Sequence, residues 1–358
     1  MTPRDVATLT SMLSLHVDLG KRRLETLCLL ITGMIGARTV NLSHLASERH
    51  GEVLVASTYR RLQRFFQHVR LGEDWAARLI VGLIHVPGPW CLCLDRTNWK
   101  IGANEVNILM LAIVTRRFRL PLMWTVLDRE GSSHSEDRIA LMRRYLALFG
   151  AGTVRLLLAD REFIGLKWLT FLDNSGIPFA IRVKEGQYVR TDDGRSLRLT
   201  TLLRRYRGKR RFKAAFEAMH GDGRIELFFS ARRIGDGELL VVASNVETGN
   251  VLNAYRKRWA IECLFGDTKT RGFNMEDTRL TMAAKLSLLI AIVALAIAWA
   301  CRTASKLMGS KNPPRKCHGY LAKSWFRIGF DELRRCLRSD PDSAIETWLK
   351  LSKTKRVV

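Results

Sequence analysis

Two short apolar runs end abruptly in a carboxylate: "WCLCLD", closing on Asp95, and "TVRLLLAD", closing on Asp160. Apolar runs of this length without alternation suit strands buried on both faces, and such strands need helices above and below the sheet. Between them, "NEVNILMLAIVTRRFRLPLMWTVLD" predicts two strands joined by the basic turn "TRRFR", with Pro121 favouring an edge or strand-start position for the second. "SHSEDRIALMRRYLALFG" predicts a helix with Ser133 or Ser135 as N-cap, acids in its first turn and Gly150 at its end. "FIGLKWLTFLDNSG" reads as a helix and "PFAIRV" as a fifth strand. The order β-β-β-α-β-α-β is mixed α/β, a meander followed by crossovers.

The 358 residues are enough for several domains with sizeable cores. Residues 1–88 read as helical, and residues 89–183 carry the mixed sheet. Residues 184–247 carry Asp-Gly pairs at 193–194, 222–223 and 236–237, the mark of hairpin turns in a β-rich insertion. Residues 248–302 return to helix, and residues 303–358 form a basic helical tail that could serve as a dimer contact. Within the fourth segment, "LSLLIAIVALAIAWAC" has 16 residues between Lys285 and Arg302, short of the roughly 20 needed to cross a bilayer. It is expected to be a core helix, with no membrane partner. Seven scattered cysteines form no CxxC pair, which argues against a zinc ribbon and fits a reducing cytosol. No secretory signal is evident at the N-terminus.

Charge narrows the function. The 59 Lys+Arg against 34 Asp+Glu give a net charge of +25, a self-repulsion that calls for a polyanionic partner, nucleic acid before an anionic membrane. "VASTYRRLQRFFQHV", after a turn at Gly51, presents Thr58, Tyr59, Arg60, Arg61, Gln63 and Arg64. It suits a helix reading a major groove, or equally a bundle whose basic face is merely solvated. "RRYRGKRRFK" packs seven basic residues, Arg210 and Arg211 among them, around Tyr206 and Phe212. Aromatics among cations favour a nucleic-acid contact over a solvated loop.

The stretch "YRKRWAIECLFGDTKTRGF" sets one glutamate among cations. On a helix at about 100° per residue, Tyr255, Arg258, Glu262 and Lys269 fall within an arc of about 60°. Arg258 and Glu262 could equally be a solvated i,i+4 ion pair. Taken with Asp95 and Asp160, Glu262 completes three hard oxygen ligands of the kind that hold paired Mg²⁺ ions for phosphodiester chemistry.

The words "DRTNWKIG" at 95, "ADREF" at 160, and Y-x2-R-x3-E-x6-K at 255–269, with "LLVVASN" and "RWAIE", resemble the DDE transposases of bacterial insertion sequences. The resemblance is to the subgroup named for its YREK signature and spans about residues 40–335. It implies an RNase H-like sheet interrupted by a β-rich insertion, preceded by a helical DNA-binding domain and followed by a small helical C-terminal region. It implies Asp95, Asp160 and Glu262 as a catalytic, metal-binding triad for two Mg²⁺ ions, with Mn²⁺ able to substitute. Tyr255, Arg258 and Lys269 inherit contacts to phosphates at the transposon end, with Arg60, Arg61, Arg64, Arg210 and Arg211 as further DNA-binding candidates. The implied activity is cleavage at terminal inverted repeats and 3′-OH transfer into target DNA, by a homodimer in the bacterial cytoplasm at the nucleoid. Some relatives flip a base onto a tryptophan of the insertion; residues 184–247 contain none, leaving Tyr188, Tyr206, Phe212 and Phe216 as stacking surfaces. A stand-alone nuclease with the same core and a non-catalytic DNA-binding regulator are the competing readings.

Overall fold

The computed structural model describes residues 3–49, 53–218, 223–235, 237–247, 249–317 and 319–349. Five helices come first: α1 (Pro3–Leu13), α2 (Lys21–Ala37), α3 (Leu42–Ser47), α4 (Val55–His68) and α5 (Ala77–Ile84). β1 (Trp90–Ile101), β2 (Asn104–Val114) and β3 (Arg119–Leu127) follow as a meander, then α6 (Ser135–Phe149), β4 (Val154–Ala159), α7 (Leu166–Asn174) and β5 (Phe179–Val183). The expected mixed α/β order is therefore present. The turn expected at Gly51 lies outside the described residues.

The next strands are β6 (Tyr188–Arg190), β7 (Ser196–Arg198), β8 (Lys209–Glu217), β9 (Arg224–Ile234) and β10 (Glu238–Ser244), with a short α8 (Leu199–Leu202) between β7 and β8. All ten strands join one sheet in the order β3-β2-β1-β4-β5-β10-β9-β8-β6-β7. β10 pairs antiparallel with both β5 and β9, so the insertion prolongs the central sheet rather than forming a separate one. At the first Asp-Gly pair, Gly194 takes φ +80°, which a side chain would resist, and closes the β6–β7 hairpin. Asp222 and Asp236 lie outside the described residues, although paired strands flank both.

Among the described residues only the β1–β4 and β4–β5 pairings are parallel. β1 is buried on both faces from Trp90 to Leu94, then alternates as it leaves the covered part of the sheet. That explains why its first half reads as an unbroken apolar run. β3 is the sheet edge, where Pro121 sits at a register shift opposite Ala112. At α6 the N-cap is His134, not Ser133 or Ser135: its backbone N–H donates to Asp137 across 2.7 Å, completing a capping box. Ser133 instead accepts from the buried Arg138, which explains its absence from the cap.

The last helices are α9 (Val251–Tyr255), α10 (Trp259–Thr268), α11 (Ala283–Met308), α12 (Trp325–Ser339) and α13 (Pro341–Leu349). α11 is long and apolar enough to cross a membrane by length and composition, yet 83% of its apolar window is buried inside the protein. It packs against β3, α2, α5 and α12, as a core helix does. α13 packs on α1 and α12, with Trp348 edge-on to Trp299 at 5.4 Å. The tail thus shares a helical layer with the N-terminal segment.

The α11–α12 crossing depends on Gly329, where a Cβ would lie 1.8 Å from the Ala300 carbonyl oxygen. Alanine ordinarily favours a helix by about 1 kcal/mol over glycine. Here the obstacle is backbone, which cannot rotate away, so overpacking prevails. Gly329→Ala should lower stability by about 3 kcal/mol, read as a lower midpoint in denaturant titration with unchanged slope.

Candidate active site

Parallel pairing aligns Leu94 of β1 with Ala159 of β4, so the residues that follow each, Asp95 and Asp160, sit side by side. β4 ends there, whereas β1 does not close on Asp95 as its apolar run predicts but continues to Ile101, with Asp95 paired to Met110 of β2. Adjacent strands lie about 4.8 Å apart. One oxygen of Asp95 accepts the backbone N–H of Arg96 at 2.8 Å, which fixes the carboxylate against its own strand.

The third acid arrives on a broken helix. α9 ends at Tyr255, a 3₁₀ turn covers Arg256–Arg258, and α10 carries Glu262 in its first turn. In a tightened turn, residues three apart eclipse one another, which directs Tyr255 and Arg258 to the same side. Tyr255 donates its hydroxyl to Asp160 at 3.3 Å. Arg258 Nη1 reaches Asp95 at 3.1 Å, while its Nη2 makes a close contact with Glu262. The i,i+4 ion pair of the alternative reading therefore forms, but it is half-buried and extends to a second acid. Arg258 thereby links Glu262 to the sheet.

Lys269 has left the helix: it is the C-cap of α10, with ψ −137°. Its Nζ donates to the Asn98 carbonyl at 3.0 Å and pairs with Glu276 at 3.3 Å, tying the end of α10 to β1. The single continuous helix expected over 255–273 is not formed, and Lys269 departs from the arc because the backbone turns there. Two further contacts seat α10. The Cys93 thiol donates to the Arg258 carbonyl at 3.8 Å, and Arg119 of β3 pairs with the buried Asp267 at 2.9 Å.

Electrostatics reflect this crowding. Burial pushes the Asp95 carboxyl up to about 6; the Arg96 N–H and Arg258 oppose the shift, and Glu162 and Asp160 add to it. Burial also raises the Tyr255 phenol, helped by the Asp160 charge. For Arg258, burial would lower the pKa, but Tyr255, Asp160, Asp95 and the Glu262 hydrogen bond outweigh it and push it up. Among the described residues, no three His, Cys, Asp or Glu side chains stand ready-grouped for a metal ion. The Arg258 guanidinium lies between Asp95 and Glu262 and neutralises both. Asp95 and Glu262, joined through Arg258, and Asp160, held by Tyr255, are carboxylates, the donor chemistry that suits hard divalent ions.

Sequence reasoning missed Glu162 and Trp259. Arg96 grips Glu162 through Nε at 3.4 Å and Nη2 at 3.3 Å, and through Nη1 it holds Asn98 and Asn107. This clamp ties β1 to the turn after β4, so the Arg96 side chain orients Glu162 rather than Asp95. The only sequence signal was the acid two places after Asp160. Trp259 is 63% exposed beside the site, an indole that burial alone would have withdrawn, whereas Trp99 is buried.

The remaining candidates sit elsewhere. On α4, Arg60, Gln63 and Arg64 are exposed. Arg61 instead turns inward to Thr26 at 2.8 Å and Glu25 at 3.2 Å, and Thr58 is buried. In the insertion, the Arg210 guanidinium lies 3.6 Å over the ring of Tyr206, and Arg211 is exposed. Tyr188 and Tyr206 are exposed, Phe212 stacks on Phe229, and Phe216 is buried and closed to stacking by DNA.

The model for the transposase DDE domain family matches residues 87–299, more than half of the chain and all three acids. The chain belongs to this family. It is a DDE transposase, an enzyme of DNA strand cleavage and transfer, and a DNA-binding protein. No curated protein matches it. A solved structure, the piggyBac transposase synaptic complex with hairpin DNA, resembles it with 12% identity and a TM-score of 0.48, over 99% of this chain and 80% of that one.

Because Asp267 anchors α10, the transposase should respond to loss of its partner. Burial already raises the Asp267 carboxyl against the lowering effect of Arg119. Arg119→Ala leaves that charge buried and unpaired and should cost about 3 kcal/mol at neutral pH. Raising the folded-state pKa favours proton uptake on folding, so the deficit should shrink as pH falls toward the ordinary carboxylate range. Thermal melts of both proteins across pH would show the gap closing.

Proposed function

We propose that this transposase cuts at the ends of its element by phosphodiester hydrolysis, releasing a 3′-OH, and then directs that oxygen against a target phosphorus in cut-and-paste transposition. The observation that carries the reading is Arg258 joining Glu262 to Asp95, beside an Asp160 that the β1–β4 register sets next to Asp95 and that Tyr255 holds. Two Mg²⁺ ions held by these carboxylates would activate the attacking oxygen and stabilise the leaving one. Asp95 and Asp160 are set by strand pairing and Glu262 by the seating of α10, so the chain supplies rigid donors. Tyr255 and Arg258 touch the acids, Lys269 stands at the end of α10, and all three would offset the repulsion between the acids and a DNA backbone.

Residues 1–88 would read the terminal inverted repeats, with Arg60 and Arg64 of α4 outward. Arg61, bound to α2, supports that helix rather than reaching DNA directly. The insertion would track the backbone with Arg210 and Arg211, and the exposed Tyr188 and Tyr206 would give stacking surfaces. Two ends must be held together for transfer, so the working assembly would be a homodimer on the bacterial nucleoid, with the 303–358 tail as a candidate contact.

A duplex carrying the inverted repeat from DNA flanking the gene tests this reading. Wild-type protein with Mg²⁺ should nick it and join the exposed 3′-OH to plasmid DNA. Glu262→Gln should lose more than about 100-fold of cleavage while still shifting the duplex in a gel. Cleavage without joining would indicate a nuclease, and binding unaccompanied by cleavage in wild type would indicate a regulator.

Lys269→Ala should weaken duplex binding and reduce the slope of log affinity against log salt by about one. An unchanged slope would leave Lys269 with only its tether to Asn98.

A further inference from the structure

We propose that Arg258 is an exchangeable counter-ion: it bridges Asp95 and Glu262 until divalent cations take its place, and the released guanidinium then grips the DNA backbone. Cation loading and DNA binding are thereby coupled. The proposal rests on the reading of Asp95, Asp160 and Glu262 as the cation-holding acids.

Competition at Asp95 is direct. Its Oδ1 accepts the Arg96 backbone N–H at 2.8 Å, and its Oδ2 accepts Arg258 Nη1 at 3.1 Å. The oxygen left over by the backbone is therefore the one Arg258 occupies. On the other side, Arg258 Nη2 takes Glu262 Oε1. A metal ion bridging these oxygens cannot share them with the guanidinium at bonding distance.

Charge favours the exchange. One guanidinium spans Asp95 and Glu262 with the Asp160 charge nearby, so divalent ions, carrying more charge, compensate these acids better. Access favours it too, since the Glu262 side chain is 35% exposed and open to ions from solvent. The Arg119–Asp267 pair makes a contrast, because its acid is 5% exposed and the pair is only structural.

The released side chain has a destination. Arg256, Lys257 and Trp259 on either side are all exposed, so rotation of Arg258 carries it into an existing basic surface. Phosphate bound there would in turn draw the guanidinium off the acids. By linkage, each ligand must strengthen the other by the same factor.

The test compares full-length wild type with Arg258→Gln and Arg258→Lys, after melting curves in EDTA confirm folding. Without DNA, calorimetric titration with Mn²⁺ should show Arg258→Gln binding at least about tenfold more tightly than wild type. Lysine keeps the charge but cannot bridge two acids, so it should fall between; should the glutamine variant not fold, lysine against wild type decides. Salt titrations of duplex binding should then show a slope about one unit steeper with Ca²⁺ than with EDTA in wild type, and no such change in Arg258→Gln. Equal Mn²⁺ affinities together with an unchanged difference in slope would overturn the exchange while leaving the acids as cation ligands. If wild type takes up no Mn²⁺ with or without DNA, the reading of the acids fails and the proposal with it.

Discussion

The parallel pairing of β1 with β4 is the constraint on which the site depends. Aligning Leu94 with Ala159 sets Asp95 within β1 beside Asp160 at the end of β4, at the point where β1 loses its cover. Carboxylates so placed repel each other and resist burial, as the raised Asp95 shows. The arrangement persists because β1 alternates buried and exposed residues from Thr97 to Ile101, so a slip of one residue would turn its buried side chains to solvent.

Everything beyond the sheet brings positive charge to that point and holds it there. The 3₁₀ turn aims Tyr255 and Arg258 together, the Cys93–Arg258 contact presses the turn on β1, and the Arg119–Asp267 pair fixes the far end of α10 to β3. Arg258 is thus shared between two acids that belong to different parts of the chain. A separate clamp, Arg96 on Glu162, holds β1 against the loop after β4 and leaves the Asp95 carboxylate to other partners. Conformation and charge meet at Arg258, whose carbonyl takes the Cys93 thiol while its guanidinium screens Asp95 and Glu262.

The large positive charge divides by environment. Arg60, Arg64 and Arg211 are exposed, as DNA contact requires, while Arg61, Arg119 and Arg138 serve as internal struts. A basic residue's type leaves this open, because an arginine stem can lie along a helix and turn its head either outward or to a buried acceptor. Membership in the DDE transposase family gives such a charge a polyanionic partner, and the fold shows which of these cations are exposed.

Some of this was legible in residues alone. Unbroken apolar runs ending at Asp95 and Asp160 declared buried strands, because only strands covered on both faces dispense with alternation. Asp-Gly pairs declared hairpins, because few residues tolerate the backbone those turns need. The spacing of Tyr255, Arg258 and Glu262 placed them on one face by local geometry. Tertiary structure alone decided that Arg258 faces the acids, that Lys269 turns back to Asn98, that Arg61 points inward, and that the insertion continues the central sheet. Those outcomes depend on partners distant along the chain, and a side chain's choice among distant partners is settled by packing and charge in three dimensions rather than by the residues beside it.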